Sequence, residues 1–162
     1  MRDIEITTAM LRKVTAEIPT SLQHAVDPAW LSPVLAHLSG GAAILDVELV
    51  EEIRAMAAKV RVAIRFANTP DDVYRLCIKG FLDYDLAGAA ANITAMREAL
   101  FYAEIGPQLS MRIPACVAVA INRDNSQAIL VMAGSLSTML VGPLGRWHNV
   151  GSGLFRSSIG EP

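Results

Sequence analysis

Residues 59–66 read Lys-Val-Arg-Val-Ala-Ile-Arg-Phe, with Val60, Val62, Ile64 and Phe66 at every second position and basic residues at 59, 61 and 65 between them. A period of two marks a strand with one buried and one wet face, because successive side chains leave a pleated backbone on opposite sides. At 100° per residue, the same four apolar side chains would be scattered around a helix. One-sided strands of this kind belong to antiparallel sheets. Residues 43–50 repeat the alternation, and 73–81 (Val-Tyr-Arg-Leu-Cys-Ile-Lys-Gly-Phe) supply a third run. The connections at 51–58 and at Asn68-Thr69-Pro70-Asp71-Asp72 are too short for a parallel crossover, so an antiparallel meander is expected.

Helical signals flank this meander. Residues 3–16 carry Ile4, Met10, Leu11 and Val14 at roughly helical spacing, which predicts a short N-terminal helix; 21–26 reads as a linker. Asp27 is a good N-cap with Pro28 in the first turn, and Trp30, Leu31, Val34, Leu35 and Leu38 form an apolar stripe that Ser39-Gly40-Gly41 stops. Residues 87–105 are alanine-rich and predict a helix, with Ile93, Met96, Leu100 and Tyr102 in its buried face and Gly106-Pro107 as its end. A loop at 109–114 leads to two further strands, 116–122 and 127–132, joined by the polar turn 123–126. The class is therefore α+β: N-terminal helices, a five-stranded antiparallel sheet and one helix packed on it. Residues 1–26 form an N-terminal helix and linker, 27–133 one lobe, and 134–162 a tail. Six of the eleven glycines fall in that tail, which has no Asp or Lys and no sustained period, so poor order is expected there.

Composition narrows the function. The chain has 162 residues, enough for one domain, and 52% are hydrophobic, which excludes whole-chain disorder. A net charge of -2 argues against binding nucleic acid through phosphate neutralisation. The apolar stretches 113–121 and 128–133 fall far short of the ~20 residues that span a bilayer, and the charged N-terminus lacks a secretory h-region. A cytoplasmic protein without membrane contact is expected. Cys77 and Cys116 read as free, reduced thiols in apolar settings, and no Cys/His spacing suggests a metal site. His24, His37 and His148 are scattered, and no G-x-S-x-G elbow exists.

Of fourteen basic residues only three are lysines, Lys13, Lys59 and Lys79. Lys79 stands among Cys77, Ile78 and Phe81, an apolar setting in which an ammonium needs an anionic partner. A lysine snorkelling from a sheet edge is the simpler alternative. Glu98, nineteen residues later on the 87–105 helix, is a candidate partner. Three strands, a helix and two strands is also the layout of a kinase-type nucleotide-binding lobe, with a lysine on the third strand and a glutamate on the next helix.

The wording at several points goes further. Asp27-Pro28-Ala29-Trp30-Leu31, Lys59-Val60-Arg61, Cys77-Ile78-Lys79-Gly80-Phe81, Arg97-Glu98-Ala99-Leu100-Phe101-Tyr102 and Met111-Arg112-Ile113-Pro114-Ala115-Cys116 occur in that order. Over residues 20–132 the chain resembles the ecdysteroid-kinase-like and choline-kinase-like small-molecule phosphotransferases, relatives of the aminoglycoside phosphotransferases. The resemblance implies ATP and Mg2+ as cofactors, with Lys79 holding phosphates, Glu98 orienting Lys79, and Met132 entering the adenine-contacting hinge. Residues 54–59 would cover the phosphates, although they contain no glycine to offer close backbone N–H groups.

Phosphoryl transfer in this fold needs a catalytic-loop Asp and a second Asp for magnesium. After Asp85 the chain has only Asp124, in a turn between strands, and no His-x-Asp or Asp-Phe-Gly-like motif. No catalytic or metal-binding residue is therefore assigned. The expectation is an ATP-binding lobe inactive alone, from a truncated or frame-shifted product, with poor nucleotide affinity. The competing expectation is a non-catalytic interaction domain that self-associates through the face where a second lobe would dock.

Overall fold

The computed structural model describes residues 2–7, 10–55, 57–84, 89–111 and 113–134. In chain order the elements are β1 (Arg2–Asp3), β2 (Arg12–Lys13), α1 (Leu22–Ala25), α2 (Pro28–Ser39), β3 (Ile44–Arg54), β4 (Ala58–Phe66), β5 (Thr69–Gly80), α3 (Ala89–Leu100), β6 (Cys116–Asn122) and β7 (Gln127–Ala133). A π-helical turn, Phe101–Ile105, and a 3-10 turn, Gly106–Gln108, extend α3. The fold is α+β.

The strands make one mixed sheet in the order β2-β6-β7-β5-β4-β3, with β1 beside β5, seven strands in place of the five expected. The five long strands pair antiparallel: short turns require it for β3–β4, β4–β5 and β6–β7, and β7 also runs antiparallel to β5 across the intervening helix. The two additions are short and parallel: β1 pairs with β5 at Asp72 and Val73, and β2 with β6 at Ala118 and Val119.

Both additions come from the segment expected to be an N-terminal helix. Ile4 and Ile6 alternate with Asp3 and Glu5, a period of two that the looser helical spacing obscured. β-branched residues are also poor helix formers. The sheet offers this segment free edges: the Ile4 N–H donates to the Val73 carbonyl at 3.1 Å, and the Val14 N–H to Val119 at 2.9 Å. The 21–26 linker contains α1, whose first turn is capped by Ser21 Oγ accepting from the His24 N–H.

The meander strands run further than the alternation indicated. β3 continues to Arg54, leaving 55–57 as the connection, and β5 begins at Thr69, inside the expected turn. Alternation ends at Leu49 because β3 is an edge strand, exposed along most of its length. α2 begins and ends as its signals require: Asp27 accepts from the Ala29 N–H at 2.8 Å, and Gly40 terminates it at φ 63°.

Two cores flank the sheet. Trp30, Leu31, Val34 and Leu35 of α2 pack with Val60, Val62, Ile64, Leu76 and Ile78 on one face, and Ile4, Ile6 and Val14 close its margin. On the other face Ala95, Ala99 and Tyr102 meet Val119, Ala128 and Leu130. The buried stripe of α3 is thus Ala95 and Ala99 rather than Ile93, which is 39% exposed. No helix among the described residues is long and apolar enough to cross a membrane. The tail 135–162 lies outside the described residues, as do Ala87 and Gly88 of the expected helix.

Candidate functional site

On the α3 face of the sheet, β4 contributes Lys59, Arg61 and Arg65, and β5 contributes Arg75, Cys77 and Lys79. The register sets Lys59 opposite Lys79 and Arg61 opposite Cys77. Most of this basic row is matched by acids: Arg61 with Glu51, Arg65 with Asp46 at 2.6 Å, and Arg75 with Asp3 at 2.9 Å.

Lys79 has the closest partnership. Its Nζ donates to Oε1 and Oε2 of Glu98, each at 2.6 Å, across nineteen residues of sequence. The side chains are 23% and 30% exposed, so water is only partly excluded. Ala95 and Ala99 bring about this contact. With methyl groups as its buried stripe, α3 approaches β7 closely, and Glu98, one residue before the fully buried Ala99, reaches over the end of β5. Gly80 gives space on the opposite face, where an added Cβ would come within 3.3 Å of Ile129 Cγ1.

A cavity of about 560 Å³ opens above the ion pair, within the size range of small-molecule sites. Lys59, Lys79 and Glu98 supply its charges and Thr94 a hydroxyl. Ala55 and Ala57 of the β3–β4 turn line it from one side, and Phe81 and Leu130 make apolar wall. Two ammonium groups against one carboxylate leave a surplus positive charge, suited to an anion. Among the described residues no group of three or more His, Cys, Asp or Glu could hold a metal ion.

The neighbouring titratable groups are held neutral. Burial raises the Cys77 thiol despite the opposing charges of Arg61, Lys59 and Lys79. Burial, reinforced by the Glu98 carboxylate, raises the Tyr102 phenol. Burial pushes the Cys116 thiol up to about 12. Both cysteines are free, but with their thiols kept protonated neither behaves as a ready nucleophile.

Of the three residues singled out in the sequence, Lys79 and Glu98 come together and Met132 does not join them. Met132 shares the sheet face of Lys79 and lies opposite Cys77 on β5 and Cys116 on β6, but it is half-buried against the α3 core and outside the cavity lining. Sequence reasoning placed Lys59 only in an outward basic row. Its scarcity, as one of three lysines, was the signal that could have marked it. The alanines at 55 and 57 carry no such signal, since alanine is as common in a turn as in a core.

The chain matches no protein-family model, no curated protein and no solved structure.

Proposed function

We propose that this chain is the nucleotide-binding lobe of a small-molecule phosphotransferase of the ecdysteroid-kinase-like and choline-kinase-like group. In this reading Lys79 holds ATP phosphates in the cavity and Glu98 fixes the direction of its ammonium. The observation that carries the reading is the bidentate Lys79–Glu98 contact at 2.6 Å on the rim of a cavity beneath the β3–β4 turn. A strand lysine oriented by a helix carboxylate is the phosphate-positioning device of kinase-type lobes. The cavity's size and surplus cation fit the phosphates of a nucleotide. ATP itself would supply the transferable phosphoryl group. Among the described residues no group of three or more His, Cys, Asp or Glu gathers to hold magnesium, so the reading assigns no residue to that ion.

In this reading the described residues are assigned binding and orientation. Asp124, the one carboxylate of the β6–β7 turn, has its N–H tied to Asn122 Oδ1 at 3.0 Å and lies outside the cavity. A general base and paired metal carboxylates would have to come from elsewhere.

The test is nucleotide binding, measured by the melting temperature and by NMR titration of the full chain with millimolar ATP. Saturable shifts centred on Lys79, Glu98 and Thr94 that vanish in Lys79→Met are expected. A wild-type chain whose spectrum and melting temperature ignore ATP would overturn the reading.

A second reading rests on Ile105, Leu109 and Met111, which are 51%, 36% and 66% exposed within one short segment beyond α3. Such a patch suits a protein–protein contact. Concentration-dependent dimerisation that ATP does not alter would favour it over nucleotide binding.

A further inference from the structure

Lys59 breaks a pattern. On the α3 face Arg61, Arg65, Arg75 and Lys79 each meet a carboxylate. Lys59 has no such partner among the described residues, although it is in direct cross-strand register with Lys79. Like charges directly opposite one another in an antiparallel pair are destabilising, with Cβ atoms only ~4.5–5.5 Å apart. Glu98 can neutralise one ammonium, and both its oxygens are committed to Lys79.

Both lysines also line the cavity that Ala55 and Ala57 overhang, so the uncompensated charge faces a space a ligand could fill. The overhanging turn has no glycine at 54–59, and so lacks the residue that lets backbone N–H groups approach a phosphate closely.

We propose that Lys59 is a second phosphate-binding cation, which replaces the backbone contacts of a glycine-rich turn and selects a ligand carrying two or more phosphates. This rests on the cavity being the nucleotide site described above. Lys79, steered by Glu98, takes the phosphate nearer α3, and Lys59, on the neighbouring strand and nearer the turn, takes the next one out. Unlike a backbone cradle, an ammonium on a long stem requires no particular turn conformation. The polyphosphate then supplies the anion missing between the two lysines.

The experiment titrates the full chain at low ionic strength with AMP, ADP, ATP and inorganic tripolyphosphate, in wild type, Lys59→Gln, Lys59→Arg, Lys79→Gln and Lys13→Gln. Wild-type affinity should climb from AMP to ATP. Lys59→Gln should weaken ATP about tenfold, the scale of one charge-assisted contact, and flatten that climb while leaving AMP nearly unchanged. Lys59→Arg should restore the climb, and Lys13→Gln should behave as wild type. Without ligand, Lys59→Gln should melt no lower than wild type, because it relieves a repulsion; a lower melting temperature would show a structural role and count against the proposal. If Lys59→Gln keeps the full preference for ATP over AMP while Lys79→Gln loses binding, the proposal falls and the nucleotide reading stands. Tripolyphosphate binding as tightly as ATP, and Lys59-dependent, would support Lys59 as the second phosphate-binding cation and remove the adenosine end from what the cavity recognises. A wild type that binds none of the four overturns both.

Discussion

Arg54, the last residue of β3, donates to the backbone carbonyl of Leu82, twenty-eight residues away, at 3.3 Å. The same guanidinium reaches Glu52 at 2.5 Å and Asp83 at 3.4 Å, and lies 6.0 Å from the centroid of the Tyr84 ring. Tyr84 donates its hydroxyl to the Ala55 carbonyl at 2.8 Å. The turn that overhangs the cavity is therefore fastened to the segment leaving β5, by contacts lying largely in solvent. Arg54→Ala should cost little global stability, below about 1 kcal/mol, because exposed ion pairs contribute little. It should instead speed amide hydrogen exchange at Ala55 and Ala57. Unchanged exchange there would show that the clamp does not hold the turn.

Asp83 occupies the left-handed region at φ 57°, where glycine is easiest and asparagine and aspartate are the commonest other residues. Its carboxylate accepts the Leu22 N–H at 3.0 Å, and its own N–H donates to Thr20 at 2.7 Å, which joins α1 to the end of β5. Asp83→Ala removes the acceptor and keeps the strained backbone, so a loss of about 1–2 kcal/mol in denaturant unfolding is expected. Asp83→Asn should recover most of it. Equal losses in the two variants would show that the backbone, and not the carboxyl contact, sets the effect.

Ala99 is fully buried beneath α3. Ala99→Leu overpacks the joint and should cost about 1–3 kcal/mol. It should also lift Glu98 from Lys79, visible as a changed Lys79 ammonium signal in NMR. Destabilisation without that change would mean that Glu98 follows Lys79 irrespective of helix height.

Burial, followed by the Arg12 charge, lowers the pKa of His37 in the last turn of α2, and its Nε2 has no hydrogen-bond partner. Around and below the ordinary histidine value of 6.5, the folded state thus binds fewer protons than the unfolded state. The stability from this group is fully present above that value and is lost as pH falls towards the depressed folded pKa. The melting temperature should drop between about pH 7 and pH 5, and the drop should shrink in His37→Gln. Parallel pH profiles would remove His37 from the acid response.

The full chain should transfer no phosphate from ATP to alcohols or aminoglycosides. In the proposed reading Lys79, an ammonium bound to Glu98, orients phosphates and does not take the proton from an attacking hydroxyl. Loss of an arginine finger alone costs about 10³–10⁵ in rate in related chemistry, and the proposed reading assigns neither a base nor metal carboxylates to the described residues. Radiolabel transfer above background that disappears in Lys79→Ala would require a base that the proposed reading does not assign, with Asp83, Asp85 and Asp124 the first to examine.

Elements whose signal is local were legible in the residues themselves. Alternation over 59–66 depends only on which side of a pleat each residue leaves, and β4 follows it except at Ala63, which is buried as well. Asp27 and Gly40 bound α2 because a cap acts within one turn. The spacing of a strand lysine and a helix glutamate foretold the Lys79–Glu98 contact, since an ammonium among apolar neighbours needs an anion. Tertiary structure alone decided the rest. Residues 3–16 hold conflicting periods, and the free edges of β5 and β6 decided between them by offering carbonyls that a solitary segment lacks. Lys59 became part of the site only through strand register, which pairs residues twenty positions apart and leaves no trace in the neighbours of either. Met132 lies outside the cavity lining: its place on the strand was legible, but its packing against the α3 core was not.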